Sequence, residues 1–396
     1  MKNTAKESTV KHPAAPFCPP KQPTTIGLDL AKSIMHLHAL DEHGITLWKR
    51  TLKTEDLIPF LSQVKPCLIG IEACGGSHYW HRTISSLGHT VNIISPMRVK
   101  AFLEGQKNDK NDCAAIANAV INQHTRIVPP RTIRQQEIGS MHTMRGLKIK
   151  QRTQIINHMR GMMNEYGVSC RTGAIWFENN VQELIEKALK SNIFPKLVVD
   201  ELLIQVKDLE IIKGRIQDVE KFLLAIYRED PCDRLATIPG IGFLISTMLY
   251  GYAGNAEYYK SGRDFAASLG LVPRQFSTGG KQTYGRISKR GNIDIRANLI
   301  QGARTVLMGG LRKRKNGKLS SNFLTDWALR CYDRMGMNKA AVAVANKISR
   351  IAWKILKTKE MTFVSTMPVS PGKGEHPPLN LPVEESSNVK ILEGDR

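Results

Sequence analysis

The chain has 396 residues, 41% of them apolar, with 57 lysines and arginines against 35 acids, a formal net charge of +22. At about 150 residues per domain it is long enough for two or three domains with real cores. An excess of this size points to a polyanionic partner, nucleic acid first and an anionic membrane surface second. It excludes an ordinary acidic metabolic enzyme as the first reading.

Residues 1–24, with prolines at 13, 16, 19 and 20, are polar and predict a disordered tail without the apolar core of a signal peptide. From Thr25 the pattern turns strand-like. Thr25–Leu30 is a short apolar run holding one acid, and Ile34–Leu40 and Ile45–Leu52 flank a hairpin turn at Asp41-Glu42-His43-Gly44. Thr54–Val64 predicts a helix capped by Thr54, with Leu57, Phe60, Leu61 and Val64 on one face and Pro59 early in its course. A buried strand over Cys67–Glu72, a helix near Ser77–Leu87, a strand at Thr90–Ser95 and helices from Pro96 complete residues 25–129. Three strands, helix, strand, helix, strand, helix is the order of a ribonuclease-H-like α/β domain.

Residues 130–230 predict helices. Arg131, Arg134, Arg145, Lys148, Lys150, Arg152 and Arg160 face a single acid, Glu137, between 131 and 160. Leu202, Leu209, Ile216 and Leu223 recur every seven residues, as do Ile212, Val219 and Ile226. That seam fits either an antiparallel helical hairpin within the chain or a coiled coil between two chains. A mostly helical third domain is expected over 231–360, and a second disordered tail over 361–396. Leu235–Ala256 carries no charge, but Pro239 and four glycines argue against a membrane span, so no membrane partner is expected. The seven cysteines include no C-x-x-C pair, which leaves zinc knuckles and redox dithiols unsupported and suits a reducing cytoplasm.

Four carboxylates fall where this topology would gather them. Asp29 lies on the first, central strand, Glu72 ends the fourth, and Asp109 and Asp112 stand three apart at a helix start in Lys107-Asn108-Asp109-Lys110-Asn111-Asp112. Carboxylates are the ligands of hard cations such as Mg2+, and a pair of such ions clamps the attacking and leaving oxygens of a phosphodiester. Taken singly, Asp29 fits a turn cap and Glu72 a solvated strand end. An acid in each of two strands expected to pair favours the metal site. The start Gly27-Leu28-Asp29 also resembles the first phosphate loop of actin-like sugar kinases, but the further glycine-rich loops of that class are missing.

In the third domain, Ile238-Pro239-Gly240-Ile241-Gly242 resembles the hairpin of helix-hairpin-helix modules, whose backbone amides meet a phosphate. From Lys281 to Lys318 eleven cations face one acid, Asp294. Most of these suit nonspecific nucleic-acid binding. Ser277 lies in a Ser-Thr-Gly-Gly loop between Arg274 and Lys281, where it is either a turn serine or a hydroxyl offered to a phosphate.

Gly27-Leu28-Asp29, Ile71-Glu72-Ala73, the Lys107–Asp112 segment and the Pro273–Asn292 block together resemble the bacterial insertion-sequence transposases that pair a RuvC-like DEDD domain with a C-terminal serine domain. The resemblance covers roughly residues 25–360. It implies a cytoplasmic, nucleoid-associated recombinase acting on donor and target DNA and guided by a structured non-coding bridge RNA. It also implies a metal tetrad of Asp29, Glu72, Asp109 and Asp112, and a nucleophilic serine matching Ser277. Because the family loop often carries two adjacent serines, Thr278 is the second candidate and Ser268 the third. Acids of one subunit would meet the serine of another, in a dimer that pairs into a tetramer. The main alternative is a metal-dependent nuclease of the Holliday-junction type, in which water attacks and Ser277 is structural. A basic RNA-binding protein with a degenerate sheet is the non-enzymatic alternative.

Overall fold

The computed structural model describes residues 21–103, 109–191, 193–318 and 322–363, without the side chains of residues 109 and 110. Most of both tails expected to be disordered therefore lies outside the described residues. The chain divides into two compact units between Thr132 and Ile133.

The first unit is built on a six-stranded sheet. Its strands are β1 (Thr25–Asp29), β2 (Ile34–Leu40), β3 (Thr46–Lys53), β4 (Leu68–Glu72), β5 (Thr90–Ile94) and β6 (Ile127–Val128), in the order β3-β2-β1-β4-β5-β6. β1 pairs antiparallel with β2 and parallel with β4. The β2–β3 turn closes as expected: the Asp41 carboxylate accepts from the backbone N–H of His43 and Ile45, and Gly44 takes φ 78°. The helix expected over Thr54–Val64 shrinks to α1 (Leu57–Leu61), preceded by a 3-10 turn. Thr54 does not cap it, since its hydroxyl donates to the Lys32 carbonyl. β6 was not legible in the sequence, being only two residues long.

Alternation sorts each strand's side chains onto two faces. Ile26 and Leu28 of β1, Met35 and Leu37 of β2 and Ile69 and Ile71 of β4 pack under α1 and α2 (Ser77–Ser85) with Leu57, Leu61 and Ile84. Each such buried side chain contributes about 1.5–3 kcal/mol. After the short α3 (Pro96–Val99), the opposite face is covered by α4 (Asp109–Ile121), whose Ala115, Ile116, Ala119 and Val120 form a second cluster with Ile94 and Val99. The sheet is sandwiched between helices.

The second unit opens with α5 (Ile133–Glu165), α6 (Ala174–Lys190) and α7 (Lys196–Tyr227). The seam of α7 is consumed inside the chain. Leu202 and Leu209 pack with Ile156, Met159 and Met163 of α5 and Phe177, Val181 and Ile185 of α6, while Leu223 and Ile226 pack with Ile138. Of the two readings of the heptads, these residues follow the intrachain one.

The chain continues through α8 (Cys232–Ala236), α9 (Phe243–Ala253), α10 (Gly262–Ser268), β7 (Pro273–Thr278), β8 (Lys281–Ile287), α11 (Ile293–Lys315) and α12 (Phe323–Lys357), the last broken at Gly336 with φ 76°. These helices share one core, including Leu249, Phe265, Leu299, Leu307, Val344 and Ile348. Arg234 of α8 fastens the far end of α12 by donating to the carbonyls of Ile355, Thr358 and Met361. The uncharged Leu235–Ala256 stretch is divided between α8, a turn and α9. No helix among the described residues is long and apolar enough to cross a membrane.

Candidate functional site

Two glycines place the acids. Gly27 and Gly70 are register partners in the parallel β1–β4 pair, and both face α4. A Cβ on Gly27 would lie 2.2 Å from the Cys113 carbonyl oxygen and 2.5 Å from the Ala117 nitrogen, so α4 rests directly on the strand. A Cβ on Gly70 would lie 2.8 Å from the Val120 Cβ. Glycine inside a strand marks such an approach. By alternation the residues two positions on, Asp29 and Glu72, lie on this same face at the same end of adjacent strands, and both are half-buried.

α4 begins at that end. Cys113, which sits over Gly27, has its thiol pushed up to about 11 by burial and then by the charge of Asp29. Asp112, the preceding residue, is half-buried, and Asp109 opens the helix one turn earlier. Asp29 and Glu72 thus share the C-terminal ends of the inner strands β1 and β4 on the face that α4 covers, while the Asp109 side chain lies outside the described residues. Among the described residues, no three His, Cys, Asp or Glu side chains stand close enough to hold a metal ion. The sequence singled out the acids but missed Gly27 and Gly70, although glycines within two apolar strands were the signal.

Ser277 is placed differently from the loop expected. It belongs to β7, paired with Gln282 of β8, and only Gly279 and Gly280, with φ 56° and 77°, make the turn. This two-residue hairpin, which the helical reading of the third domain did not include, is exposed along almost its whole length. Ser277 Oγ accepts a hydrogen bond from Gln275 Nε2 at 2.9 Å, with Tyr284 donating to Gln282 on the same face. Thr278 ends β7 opposite Lys281. Ser268 ends α10, half-buried, with its hydroxyl donating to the Phe265 carbonyl at 2.7 Å.

The Pro239 turn divides its glycines between two duties. Gly240, at φ 87°, is pressed against α11, where an added Cβ would meet the Gly302 carbonyl at 2.7 Å. Gly242 at the start of α9 is exposed, with nothing within 4 Å of a Cβ built there. The basic face expected on α5 is largely turned to structural use. Arg134 pairs with Glu137 and Glu229, Arg145 with Glu220 and Arg152 with Glu178, while Arg160 donates to the carbonyls of Arg171 and Gly173. The hairpin and the Arg312–Lys315 end of α11 carry exposed cations instead.

Comparison with known proteins identifies the family. Residues 26–168 match the DEDD transposase family of IS110, described as a transposase, and residues 232–316 match the family described as "Transposase IS116/IS110/IS902 family". A probable family 20 transposase of Pseudomonas aeruginosa is 38% identical over 335 residues, covering 84% of this chain and 96% of the relative. The transposase for insertion sequence element IS1111A of Coxiella burnetii is 34% identical over 85% of this chain and 90% of its own length. The transposase for IS1328 of Yersinia enterocolitica is 35% identical over 84% and 96%. A DEDD-type domain implies a divalent metal ion, and carboxylates are the donor type that suits a hard cation. The chain belongs to the IS110/IS116 transposases and is an enzyme of DNA transposition.

Proposed function

We propose that this transposase cuts and rejoins donor and target DNA at a composite centre, in which Asp29, Glu72, Asp109 and Asp112 hold Mg2+ and Ser277 is the nucleophile. The observation that carries the reading is the common α4 face of Asp29 and Glu72, with Asp112 one residue from the helix position over Gly27. The strand order β3-β2-β1-β4-β5-β6, antiparallel at β1–β2, β2–β3 and β5–β6 and parallel at β1–β4 and β4–β5, supports a RuvC-like assignment of residues 25–129. The donor set is all carboxylate, which fits a hard cation and neither zinc nor a redox metal. Bound there, the ion would polarise the phosphodiester and stabilise the oxygen that leaves.

The chain's own part is a transesterification. Ser277 Oγ bonds to phosphorus and loses its proton, the bond from phosphorus to the departing sugar oxygen breaks, and that oxygen takes up a proton. A phosphoserine link keeps the diester's energy, so strand exchange and religation need no ATP. The family resemblance and the net charge of +22 support guidance by a structured bridge RNA. The resemblance also supports a dimer that pairs into a tetramer, bringing acids of one subunit to the serine of another. A cytoplasmic, nucleoid-bound location follows from this reading.

One observation favours a second reading. The partner of Ser277 Oγ is an amide donor, Gln275, which cannot accept the serine proton. In a nuclease of the Holliday-junction type, water would attack and Ser277 would be structural. Trapping the reaction on a nicked substrate and locating the nucleotide-modified peptide by mass spectrometry decides between them. An adduct on Ser277 that is lost in Ser277→Ala is the expected result. Cleavage that persists in Ser277→Ala without any adduct would overturn the serine mechanism.

A further inference from the structure

We propose that the cleft between β2, β3 and the start of α4, beside Asp29, seats a phosphate of the DNA strand being cut, with Lys49 as its cation and His36 and Thr51 as its polar wall. The inference rests on the reading of Asp29 and Glu72 as metal-holding acids. Register across the sheet is the first observation. On the α4 face, Glu72, Asp29, His36 and Thr51 form one row across β4, β1, β2 and β3, and Gly70, Gly27, His38 and Lys49 form the next. The acids occupy one half of the first row. The other half is basic or neutral and polar.

The second observation is space. A cleft of about 270 Å3 opens against this half, lined by His36, Leu37, Lys49, Arg50, Thr51 and Cys113. One wall is fixed by the hydrogen bond between Thr51 Oγ1 and His36 Nδ1 at 3.2 Å. The buried Cys113 of α4 lines its inner side. With strands about 4.8 Å apart, β3 lies about 10 Å from β1, a distance much of which a lysine stem spans.

Electrostatics supplies the reason for a cation here. Four carboxylates balance two divalent ions, so a loaded centre is close to neutral and gives no net attraction to the phosphates on either side of the reacting one. Unloaded, the acids repel the whole backbone. A strand held with its reacting diester over Asp29 and Glu72 needs a positive contact one step along, and phosphate contacts are what set register on DNA. Lys49 stands in the row on one side of Asp29 on the α4 face, while Lys53, in the row on the other side, is paired with Glu55 at 3.5 Å.

The test uses the full chain and a short duplex carrying the element end. With Ca2+ in place of Mg2+, which neutralises the acids but is a poor substitute in the chemistry, Lys49→Gln should lower the slope of log affinity against log salt by about 0.9, the loss of one phosphate contact. With Mg2+ present, the same variant should raise KM for DNA about tenfold with a much smaller change in kcat, and Lys49→Arg should restore both. An unchanged salt slope would overturn the seat even if cleavage fell. A lowered slope with unchanged KM would place the contact away from the reacting strand and overturn it as well. If Asp29→Asn and Glu72→Gln recombine normally, the acidic centre itself fails. If they are inactive while Lys49→Gln behaves as wild type, only the seat fails.

Discussion

Gly27→Ala is the most direct test of how the fold builds the acidic edge. The new Cβ would stand 2.2 Å from the Cys113 carbonyl oxygen, 2.5 Å from the Ala117 nitrogen and 2.8 Å from the Ala117 Cβ. Two of these are backbone atoms of a helix, so no side-chain rotation relieves the contact. α4 has to retreat by about 1 Å, which loosens the packing of Ile116, Ala119 and Val120 beneath it. Overpacking of this kind costs about 3 kcal/mol, and melting of the first unit should drop by roughly 10 °C or more. The retreat carries Asp112 and Asp109 away from Asp29 and Glu72. A displacement of about 1 Å at a reacting centre costs about a hundredfold in rate, so recombination should fall further than the folded fraction does. Gly161→Ala is the control: Gly161 lies within α5 with nothing within 4 Å of a Cβ, and alanine there should stabilise by about 1 kcal/mol. Differential scanning calorimetry and a plasmid recombination assay read the two effects separately. Wild-type melting and recombination in Gly27→Ala would refute the packing of α4 on β1.

Other outcomes follow from the same structure. Mg2+ at about a hundred times its dissociation constant should stabilise the wild type by about 2.7 kcal/mol in thermal unfolding, whereas Glu72→Gln and Asp112→Asn should lose the shift and recombination together while keeping their affinity for nucleic acid; an undiminished shift in both would remove them from the metal site. Arg234→Ala leaves the carbonyls of Ile355, Thr358 and Met361 without their donor and should cost about 3 kcal/mol, with Arg234→Lys rescuing only in part, as read by urea unfolding. The His142 imidazole, which meets Thr247 Oγ1 at 3.0 Å, is held down to about 4 by burial and then by Arg145. Its ordinary value is 6.5, so the unfolded chain takes up the proton first: the neutral ring costs nothing above pH 6.5, and stability falls as the pH drops from there towards 4. His142→Gln should narrow the difference between urea midpoints at pH 7 and pH 5, and an unchanged difference would assign that acid sensitivity elsewhere.

Much of the first unit was legible because its signals are local. Alternation, a four-residue turn ending in Gly44 and apolar runs bounded by breakers located five of the strands, and the acids stood out as charges within or at the ends of apolar runs. What the sequence left open depends on partners distant in the chain. The heptads of α7 are equally periodic whether they face a second copy or α5 and α6, and only the packing of Leu202 and Leu209 against Met159 and Phe177 decides. The arginines of α5 look like a nucleic-acid surface until Glu178, Glu220 and Glu229, each far along the chain, are seen to meet them. Gly240 carries a turn signal, but its pressure on Gly302 is a tertiary fact. The β7–β8 hairpin escaped because its strands are exposed on both faces and so lack the apolar alternation that marks a half-buried strand.

The placement of the acids follows from the topology as much as from their own chemistry. Parallel pairing makes the ends of β1 and β4 coincide, so an acid closing each strand meets the other without any specific contact to guide it. Bare glycines one pair back let a helix lie on the sheet close enough for its first turn to reach the same edge. The cost is borne electrostatically, since carboxylates drawn together in a half-buried position repel one another until a cation joins them. On the proposed reading, such a centre is pre-positioned by backbone and its charge is completed by the cation it binds. With a net charge of +22, basic surfaces of the chain attract a DNA backbone that the bare acids repel, so on the proposed reading capture by those surfaces comes before engagement of the neutralised acids.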